Sequence, residues 1–272
     1  MVNILCALKA EAVPVIDHFQ LKQIATNRTF RLFENHGIRL TVTGVGKSSV
    51  AAAAGYSFAR SMDRQHAGWL NLGIAGHADL PLGSICLASK ITDRARNESW
   101  YPPQIYRWPH HRAEIVTVEH PETGYPSEAL YDMEASSFVA TCVRFSVAEI
   151  VQSVKIVSDN RQRSAKEIRN ATVQELVGSH LDCIQEFVEQ MSAFSTAEQS
   201  ARLESPALAE FLATWRFTAT QTHQLRELLR RWKALGVSDS SLEVSRTFGS
   251  ARDVLGNLRQ RLDEVPQRVA TP

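Results

Sequence analysis

The chain has 272 residues, 44% of them hydrophobic and 22% charged, with a formal net charge of +1 at pH 7 and a pI near 7.8. This composition is typical of a globular protein that is long enough for one large domain, or for one domain with an appendage. A nearly neutral chain offers little attraction to polyanions, which argues against general binding to nucleic acid or to anionic membranes.

The N-terminal residues lack the basic start and the small-residue cleavage site of a signal peptide, and no apolar run reaches membrane-spanning length. We therefore expect a cytoplasmic protein. The cysteines lie far apart in apolar stretches without Cys-x-x-Cys spacing, which favours reduced, buried thiols over disulfides or a zinc site. They are Cys6, Cys86, Cys142 and Cys183.

Short apolar runs alternate with helical patterns through about residue 191. The strand patterns are Val2–Leu8, Thr29–Glu34, Ile38–Thr43, Trp69–Ile74, Ser84–Ile91, Glu114–Val118 and Ile150–Val157. The helical patterns are Ala10–Phe19, Ser48–Ser61, a helix that opens at Glu134, and Ala165–Met191. The turn residues Asn35-His36-Gly37 predict a hairpin between the second and third strands. This alternation predicts an α/β sandwich with a largely parallel or mixed sheet.

Strand signals end beyond about Ser192. We interpret Ser195–Ser200 as a polar joint, and divide the chain into a domain of residues 1–192 and a helical C-terminal extension of residues 193–272. An apolar stripe predicts an amphipathic helix that ends at Gly236. Its members are Leu225, Leu228, Leu229, Trp232 and Leu235. Ser240 and Glu243 resemble a capping box before a last helix. The inward positions of that helix are Leu242, Val254, Leu255, Leu258 and Leu262.

The extension also carries a group of basic side chains on its amphipathic helix, Arg226, Arg230, Arg231 and Lys233. Acidic residues nearly balance the charge of the extension, so this group is better interpreted as a solvated face than as a nucleic-acid site. We expect packing against the domain or a partner subunit first. Contact with a different protein through these helices stays open.

Two glycine-spaced turns follow predicted strands. Gly44-Val45-Gly46-Lys47-Ser48 resembles a phosphate-binding loop, but the glycine that such a loop requires five positions before Gly46 is replaced by Thr41. It is either a tight strand-to-helix turn or a place where a ligand approaches the backbone. Asn71–Gly76 contains Gly73 and Gly76, whose lack of side chains would let a flat or sugar-like ligand lie against the strand end.

Several ionisable residues occupy positions where α/β enzymes carry their chemistry. Glu134 opens an apolar helix, and Asp159 ends an apolar strand. Glu11 begins the helix after the first strand, where its carboxylate either complements the helix dipole or points into a crevice. The histidines His110, His111 and His120 lie in a connection rich in Trp, Pro and Tyr, without ligands at metal-site spacing. We interpret them as loop packing or as part of a ligand-covering lid.

In order and spacing, these pieces resemble the nucleoside phosphorylase/nucleosidase superfamily, and most closely its branch containing 5′-methylthioadenosine/S-adenosylhomocysteine nucleosidase. The resemblance covers about residues 2–191. It rests on Ile4–Glu11, Thr43–Lys47, Asn71–Gly76, Asp132–Ala135 and Val157–Asp159. It implies a three-layer sandwich with a central mixed sheet, no metal or organic cofactor, and a homodimer or higher homo-oligomer.

The resemblance also implies roles for individual residues. Asp159 would deliver a proton to purine N7, and Glu11 would orient or deprotonate the attacking water. Glu134 would bind the ribose hydroxyls, with Met133 under the sugar. Further substrate contacts would come from Gly44, Gly73, Ile74 and Ser158.

The chain departs from the family pattern in two places. Ile74 replaces a serine, and the segment between Thr117 and Tyr131, which would cover the base, is short. No arginines match those with which the phosphorylase branch holds phosphate, which favours water as the nucleophile. We therefore expect hydrolysis of a purine nucleoside or nucleoside thioether, of the methylthioadenosine or S-adenosylhomocysteine kind. The alternatives are a phosphate-dependent purine nucleoside phosphorylase and a non-catalytic nucleoside-binding regulatory or scaffold protein.

Overall fold

The computed structural model describes residues 1–24, 30–60, 67–164, 167–202, 206–235 and 248–264. The chain forms two compact units, Met1–Thr196 and Ala197–Pro272. The described helices include none that is long and apolar enough to cross a membrane.

The strands of the described residues all lie in the first unit. They are β1 Val2–Cys6, β2 Lys22–Gln23, β3 Arg31–Asn35, β4 Ile38–Val42, β5 Gly68–His77, β6 Ile85–Asp93, β7 Glu98–Trp100, β8 His111–Thr117, β9 Leu130–Asp132 and β10 Val151–Asp159. The helices that begin in this unit are α1 Lys9–His18, α2 Lys47–Ala59, α3 Ala135–Cys142, α4 Asn170–Gly178 and α5 Leu181–Arg202. A short 3₁₀ turn, Ala148–Ile150, precedes β10.

The strands form one mixed sheet in the order β10-β6-β8-β9-β5-β1-β4-β3-β2, with β7 paired to β6. β10 also pairs with β5, so that β5, β10, β6, β8 and β9 close into a ring. Strands β1, β4, β5 and β10 run parallel to their neighbours within this group, and their carboxyl ends therefore meet at one edge. The mixed α/β fold predicted from the alternation of patterns is confirmed.

Both faces of the sheet are covered, since the central strands β1, β5 and β10 are buried at nearly every position rather than at alternating ones. In β1, Ile4 contributes to a core shared with α1, α4 and α5, and Leu5 contributes to a second core shared with α2 and α3. The same division occurs in β10, where Ile156 and Val157 face opposite cores. The sheet is therefore the middle layer between two layers of helices.

The hairpin predicted at residues 35–37 is present between β3 and β4, which pair antiparallel. His36 and Gly37 both have positive φ, 47° and 78°, as a two-residue turn between twisted strands requires. The predicted strand start at Thr29 lies outside the described residues.

The helical pattern at Ala165–Met191 is two helices rather than one, because α4 ends at Gly178 and α5 begins at Leu181. Ser195–Ser200, interpreted as a polar joint, contains the boundary between the two units but is helical, because α5 continues to Arg202. Exposed polar residues do not stop a helix when its opposite face is packed, and the Thr196 hydroxyl bonds back to the carbonyl of Ser192 at 2.9 Å.

The second unit contains α6 Pro206–Thr214, α7 Ala219–Ala234 and α8 Ala251–Asp263 around a core of its own. The predicted stripe on α7 is buried at Leu225, Leu228, Leu229 and Trp232. Leu235 was predicted to be part of the stripe and is 43% exposed, since it follows the last helical residue. The inward positions predicted for α8, Val254, Leu255, Leu258 and Leu262, are all buried. Gly236, Ser240, Leu242 and Glu243 lie outside the described residues.

Candidate active site

A cavity of about 310 Å³ opens where the carboxyl ends of β1, β5 and β10 meet. It is lined by six of the residues singled out from the sequence, namely Glu11, Ile74, Met133, Glu134, Ser158 and Asp159. Gly44 and Gly73 are not among the described residues that line it. Val118, Pro121 and Glu122, from the short covering segment, complete one wall.

Glu11 serves both of the roles left open by the sequence. As the third residue of α1, it accepts a hydrogen bond from the Leu8 N–H (2.8 Å) through Oε2, which satisfies a donor at the helix start. Its Oε1 accepts from the Ile74 N–H (2.9 Å) on β5. The side chain is therefore fixed between two strand ends while it lines the cavity. Burial raises the pKa of Glu11, although Lys155 and the backbone donors oppose the shift.

Gly73 on β5 leaves space for the carboxylate of Glu11. A Cβ atom at this position would lie 2.7 Å from Glu11 Oε1, closer than real contacts allow. The absence of a side chain at Gly73 thus leaves room for the Glu11 carboxylate beside β5. Direct contact of Gly73 with a ligand stays a prediction.

Glu134 is held by the glycine turn that resembled a phosphate-binding loop. The N–H of Gly46, at the start of α2, donates to Glu134 Oε1 at 2.7 Å. Gly46 has φ 100°, a conformation that a side chain would oppose. The lysine of this turn faces other partners, because Lys47 Nζ lies 2.8 Å from Asp93 Oδ2 and 2.7 Å from Glu119 Oε1.

A buried lysine, Lys155 on β10, lies beside these carboxylates. Its Nζ is 2.9 Å from Asp132 Oδ2 and 4.0 Å from Glu134 Oε2. Asp132 is further held by the Thr117 hydroxyl (2.7 Å) and by the N–H of Ala135 (2.8 Å). Both oxygens of Asp132 thus have structural partners, and the carboxylate fixes both the ammonium and the start of α3.

The charges of this group do not balance. Three carboxylates, Glu11, Asp132 and Glu134, surround one ammonium. Burial raises the pKa of Glu134 to about 7, with Lys155 opposing the shift and Asp132 adding to it. Burial alone would lower the pKa of Lys155, but the surrounding carboxylates, Asp132 first, raise it above its ordinary value. The cavity therefore favours a ligand that is, or becomes, positively charged.

Asp159 ends β10 at an irregularity of the sheet. The register with β5 shifts between Val157 and Asp159, so that both Ser158 and Asp159 reach the cavity although neighbours on a strand normally face opposite ways. Asp159 Oδ1 accepts from the Ser158 hydroxyl (2.6 Å), and Oδ2 accepts from the Tyr125 hydroxyl (2.5 Å).

Sequence reasoning missed three residues of this site, Asp132, Lys155 and Tyr125. Lys155 could have been found, because a single charged residue within an apolar strand is buried only when a carboxylate pairs with it. Asp132 precedes Met133 in the quoted motif but received no role. Tyr125 had no sequence signal, since its partner Asp159 is distant in the chain.

Around His110 and His111, the predicted connection packs against the fold, whereas His120 lies between Val118 and Pro121, which line the cavity. The ring centroids of Trp108 and His110 are 5.6 Å apart, and Trp108 Nε1 donates to the carbonyl of His111 at 2.9 Å. This agrees with loop packing. In the described part of the chain, no group of three or more His, Cys, Asp and Glu side chains is arranged to hold a metal ion.

Solved structures with a similar fold include several nucleosidases. The chain is similar to a 5′-methylthioadenosine/S-adenosylhomocysteine nucleosidase from S. pneumoniae, with 14% identity and a TM-score of 0.55 over 69% of this chain and 97% of that one. It is also similar to 5′-methylthioadenosine nucleosidase of Arabidopsis thaliana, with 14% identity and a TM-score of 0.54 over 70% and 95%.

A futalosine hydrolase of Helicobacter pylori matches equally well, with 14% identity and a TM-score of 0.54 over 70% of this chain and 97% of that one. Neither a protein-family model nor a curated protein sequence matches the chain. At these identities the likeness concerns the fold, and it confirms the predicted structural resemblance to the nucleosidases.

Proposed function

We propose that this protein hydrolyses the N-glycosidic bond of a purine nucleoside or nucleoside thioether, releasing the free base and a ribose derivative. The observation that carries the proposal is the convergence of Glu11, Glu134 and Asp159 on one cavity in which buried carboxylates outnumber the ammonium of Lys155. Cleavage of an N-glycosidic bond builds positive charge on the sugar and negative charge on the base, and such a site stabilises the first of these charges.

Each carboxylate has a separate role in this reaction. As the bond between C1′ and the base nitrogen breaks, its electron pair leaves with the base, which takes a proton from the carboxylic acid of Asp159. A water oxygen bonds to C1′ and loses its proton to Glu11. Because burial raises the pKa of Glu11, this carboxylate is a stronger base than an exposed glutamate would be.

Glu134 and the cavity walls would bind the sugar. The carboxylate of Glu134 can accept from ribose hydroxyls while the Gly46 N–H keeps it in place. Met133 lines the cavity beside it. The remaining wall includes the apolar side chains of Leu8, Val45, Ile168 and Val173. An apolar wall suits a thioether substituent on the 5′ carbon better than a bare hydroxyl.

The test is release of free base from methylthioadenosine, adenosine, inosine and guanosine by the parent and by Asp159→Asn, with and without phosphate. We expect release by the parent without phosphate, and none by the variant. The variant should bind ligand within about tenfold of the parent, because the acid acts mainly in the transition state. Asp17→Asn, on the exposed part of α1, is the matched control.

The other outcomes assign the protein differently. Strict dependence on phosphate would identify a phosphorylase. Binding of nucleosides without release of base would support a regulatory or scaffold protein that keeps the cavity. Equal turnover by Asp159→Asn and the parent would remove Asp159 from the mechanism.

A further inference from the structure

Tyr125 is a buried residue that the proposed roles leave unused. It lies in the short segment between β8 and β9, is 2% exposed, and donates its hydroxyl to Asp159 Oδ2 at 2.5 Å. Its ring packs edge-on against Tyr131, with 5.9 Å between centroids. It is not among the described residues that line the cavity, although it packs with Val118 and Tyr131, which do line it.

The backbone of Tyr125 is held in an unfavourable conformation. Its φ is 44°, in the left-handed region that bulky side chains rarely adopt, whereas the adjacent Gly124 does not have a positive φ. The carbonyl of Tyr125 accepts from Arg161 Nη2 at 3.2 Å. A strained residue persists only where its surroundings determine it, and such residues concentrate at functional sites.

Gly76 on β5 makes room for the pair formed by Tyr125 and Asp159. A Cβ atom at this position would lie 2.6 Å from Asp159 Oδ2 and 2.8 Å from Tyr125 Cε1. Gly76 is also the residue that pairs with Asp159 across the register shift between β5 and β10. The missing side chain therefore lets the hydroxyl and the carboxylate meet at the end of the two strands.

The two oxygens of Asp159 are not equivalent. The Ser158 hydroxyl on Oδ1 has a second acceptor nearby, the carbonyl of Ala75 at 3.4 Å. Ser158 can therefore release Oδ1 to a ligand and still keep a partner. The hydroxyl of the buried Tyr125 holds Oδ2 and has no second acceptor among the described residues.

We propose that Tyr125 is a positioning residue that fixes Oδ2 of Asp159 and so presents Oδ1 to the departing base. This inference depends on the proposed hydrolase function, in which Asp159 protonates the base. Tyr125 keeps its own proton throughout. Burial raises the pKa of its hydroxyl, and the hydrogen bond to Asp159 adds to the shift, which agrees with a permanent donor.

The test compares two substrates in the parent and in Tyr125→Phe. One is the purine nucleoside from which the parent releases base fastest, and that base needs a proton to leave. The other is 4-nitrophenyl β-D-ribofuranoside, whose nitrophenolate leaves without one. We expect kcat for the nucleoside to fall by about tenfold or more, with KM within about threefold, because a misplaced acid affects mainly the transition state. For the nitrophenyl riboside we expect kcat within about twofold of the parent.

Tyr106→Phe is the matched control. Tyr106 is a buried tyrosine outside the cavity whose hydroxyl donates to the carbonyl of Glu149 at 3.0 Å. Removal of the Tyr106 hydroxyl also deletes a buried hydrogen bond. It should leave the ratio of the kcat values for the two substrates unchanged. Gly76→Ala is a second test variant, since it keeps the Tyr125 hydroxyl but displaces it from Asp159, and it should reproduce the selective loss on the nucleoside.

The outcomes separate this inference from the proposed function. An equal loss on both substrates, or no loss on the nucleoside, would overturn the role of Tyr125 while leaving the hydrolase in place. If the parent cleaves only nucleosides, a rise in KM with unchanged kcat in Tyr125→Phe would overturn it. Failure of the parent to release base from any nucleoside would reject the proposed function itself, and with it this inference.

Discussion

Lys155 and Asp132 form an ion pair of 2.9 Å inside the sheet, with side chains that are 2% and 0% exposed. Moving two charges out of water is costly, and the cost is recovered only where further hydrogen bonds complete the geometry. Asp132 meets this condition through Thr117 and the backbone at the start of α3. The pair therefore joins β10, β9 and α3 at the cavity, which Asp132 lines.

The first prediction concerns this pair. Lys155→Met leaves Asp132, Glu134 and Glu11 without their ammonium, and should lower the free energy of unfolding by about 3 to 5 kcal/mol, as breaking a buried pair does. Urea unfolding followed by circular dichroism measures the difference. Lys90→Met is the control, because Lys90 pairs with Glu114 at the surface (2.9 Å), where water screens the two charges, and its loss should lower the free energy of unfolding far less. Similar losses in the two variants would contradict a special role for Lys155.

The second prediction concerns pH. Burial raises the pKa of Glu134 from an ordinary value of 4.5 to about 7. Between these pH values the folded protein keeps a proton that the unfolded chain has released, so the free energy of unfolding should fall as the pH rises through this range. Glu134→Gln should reduce the fall between pH 5 and pH 8, measured by urea unfolding at both.

Glu186→Gln, on α5 and outside the cavity, is the control for the loss of a carboxylate from the surface. The argument fails if Glu134→Gln shows the same pH dependence as the parent, because Glu134 would then titrate alike in the folded and unfolded chains.

A third prediction concerns Gly73. Gly73→Ala places a methyl group 2.7 Å from the position of Glu11 Oε1 and must displace that carboxylate. We expect kcat for the nucleoside to fall by about tenfold or more, because the attacking water loses its base. In Gly55→Ala, a Cβ atom within α2 meets nothing within 4 Å. That variant should keep full activity, and equal activity in Gly73→Ala would show that Glu11 does not need its present position.

A fourth prediction concerns the division of the chain, which we propose separates a catalytic domain from a helical extension. All described residues that line the cavity lie before Thr196. A fragment of residues 1–202, which keeps α5 whole, should retain kcat/KM within about threefold of the full chain. A fragment of residues 1–186 lacks Phe187 and Met191, both buried in the core beside the sheet, and should not fold. Loss of activity in the longer fragment would assign the extension a part in the site.

The sequence allowed prediction of those features that depend on local pattern. Apolar runs indicated β5 and β10, and the resemblance to the nucleosidases implied that Glu11, Glu134 and Asp159 serve one site. Very short strands such as β2, β7 and β9 were missed, since two or three residues show no periodicity. The break between α4 and α5 was missed because helical patterns continue on both sides of it.

The contacts that complete the site depend on register instead. Tyr125 reaches Asp159 only because β5 and β10 shift by one residue near Gly76, and nothing in either segment alone specifies that shift. Likewise, Gly46 was recognised as a turn residue, but its N–H donates to Glu134 only once α2 and α3 are packed together.

The closed ring of β5, β10, β6, β8 and β9 also bears on aggregation. Strands in a ring have no unpaired edge to which another chain could add, so the strands that carry the site are protected from edge-to-edge association. In the described part of the sheet, the terminal strand β2 is only the two exposed residues Lys22–Gln23. A short edge with a charged side chain is a poor template for strand addition. The acidic cavity thus lies in the part of the sheet to which a strand of a second chain is least able to add.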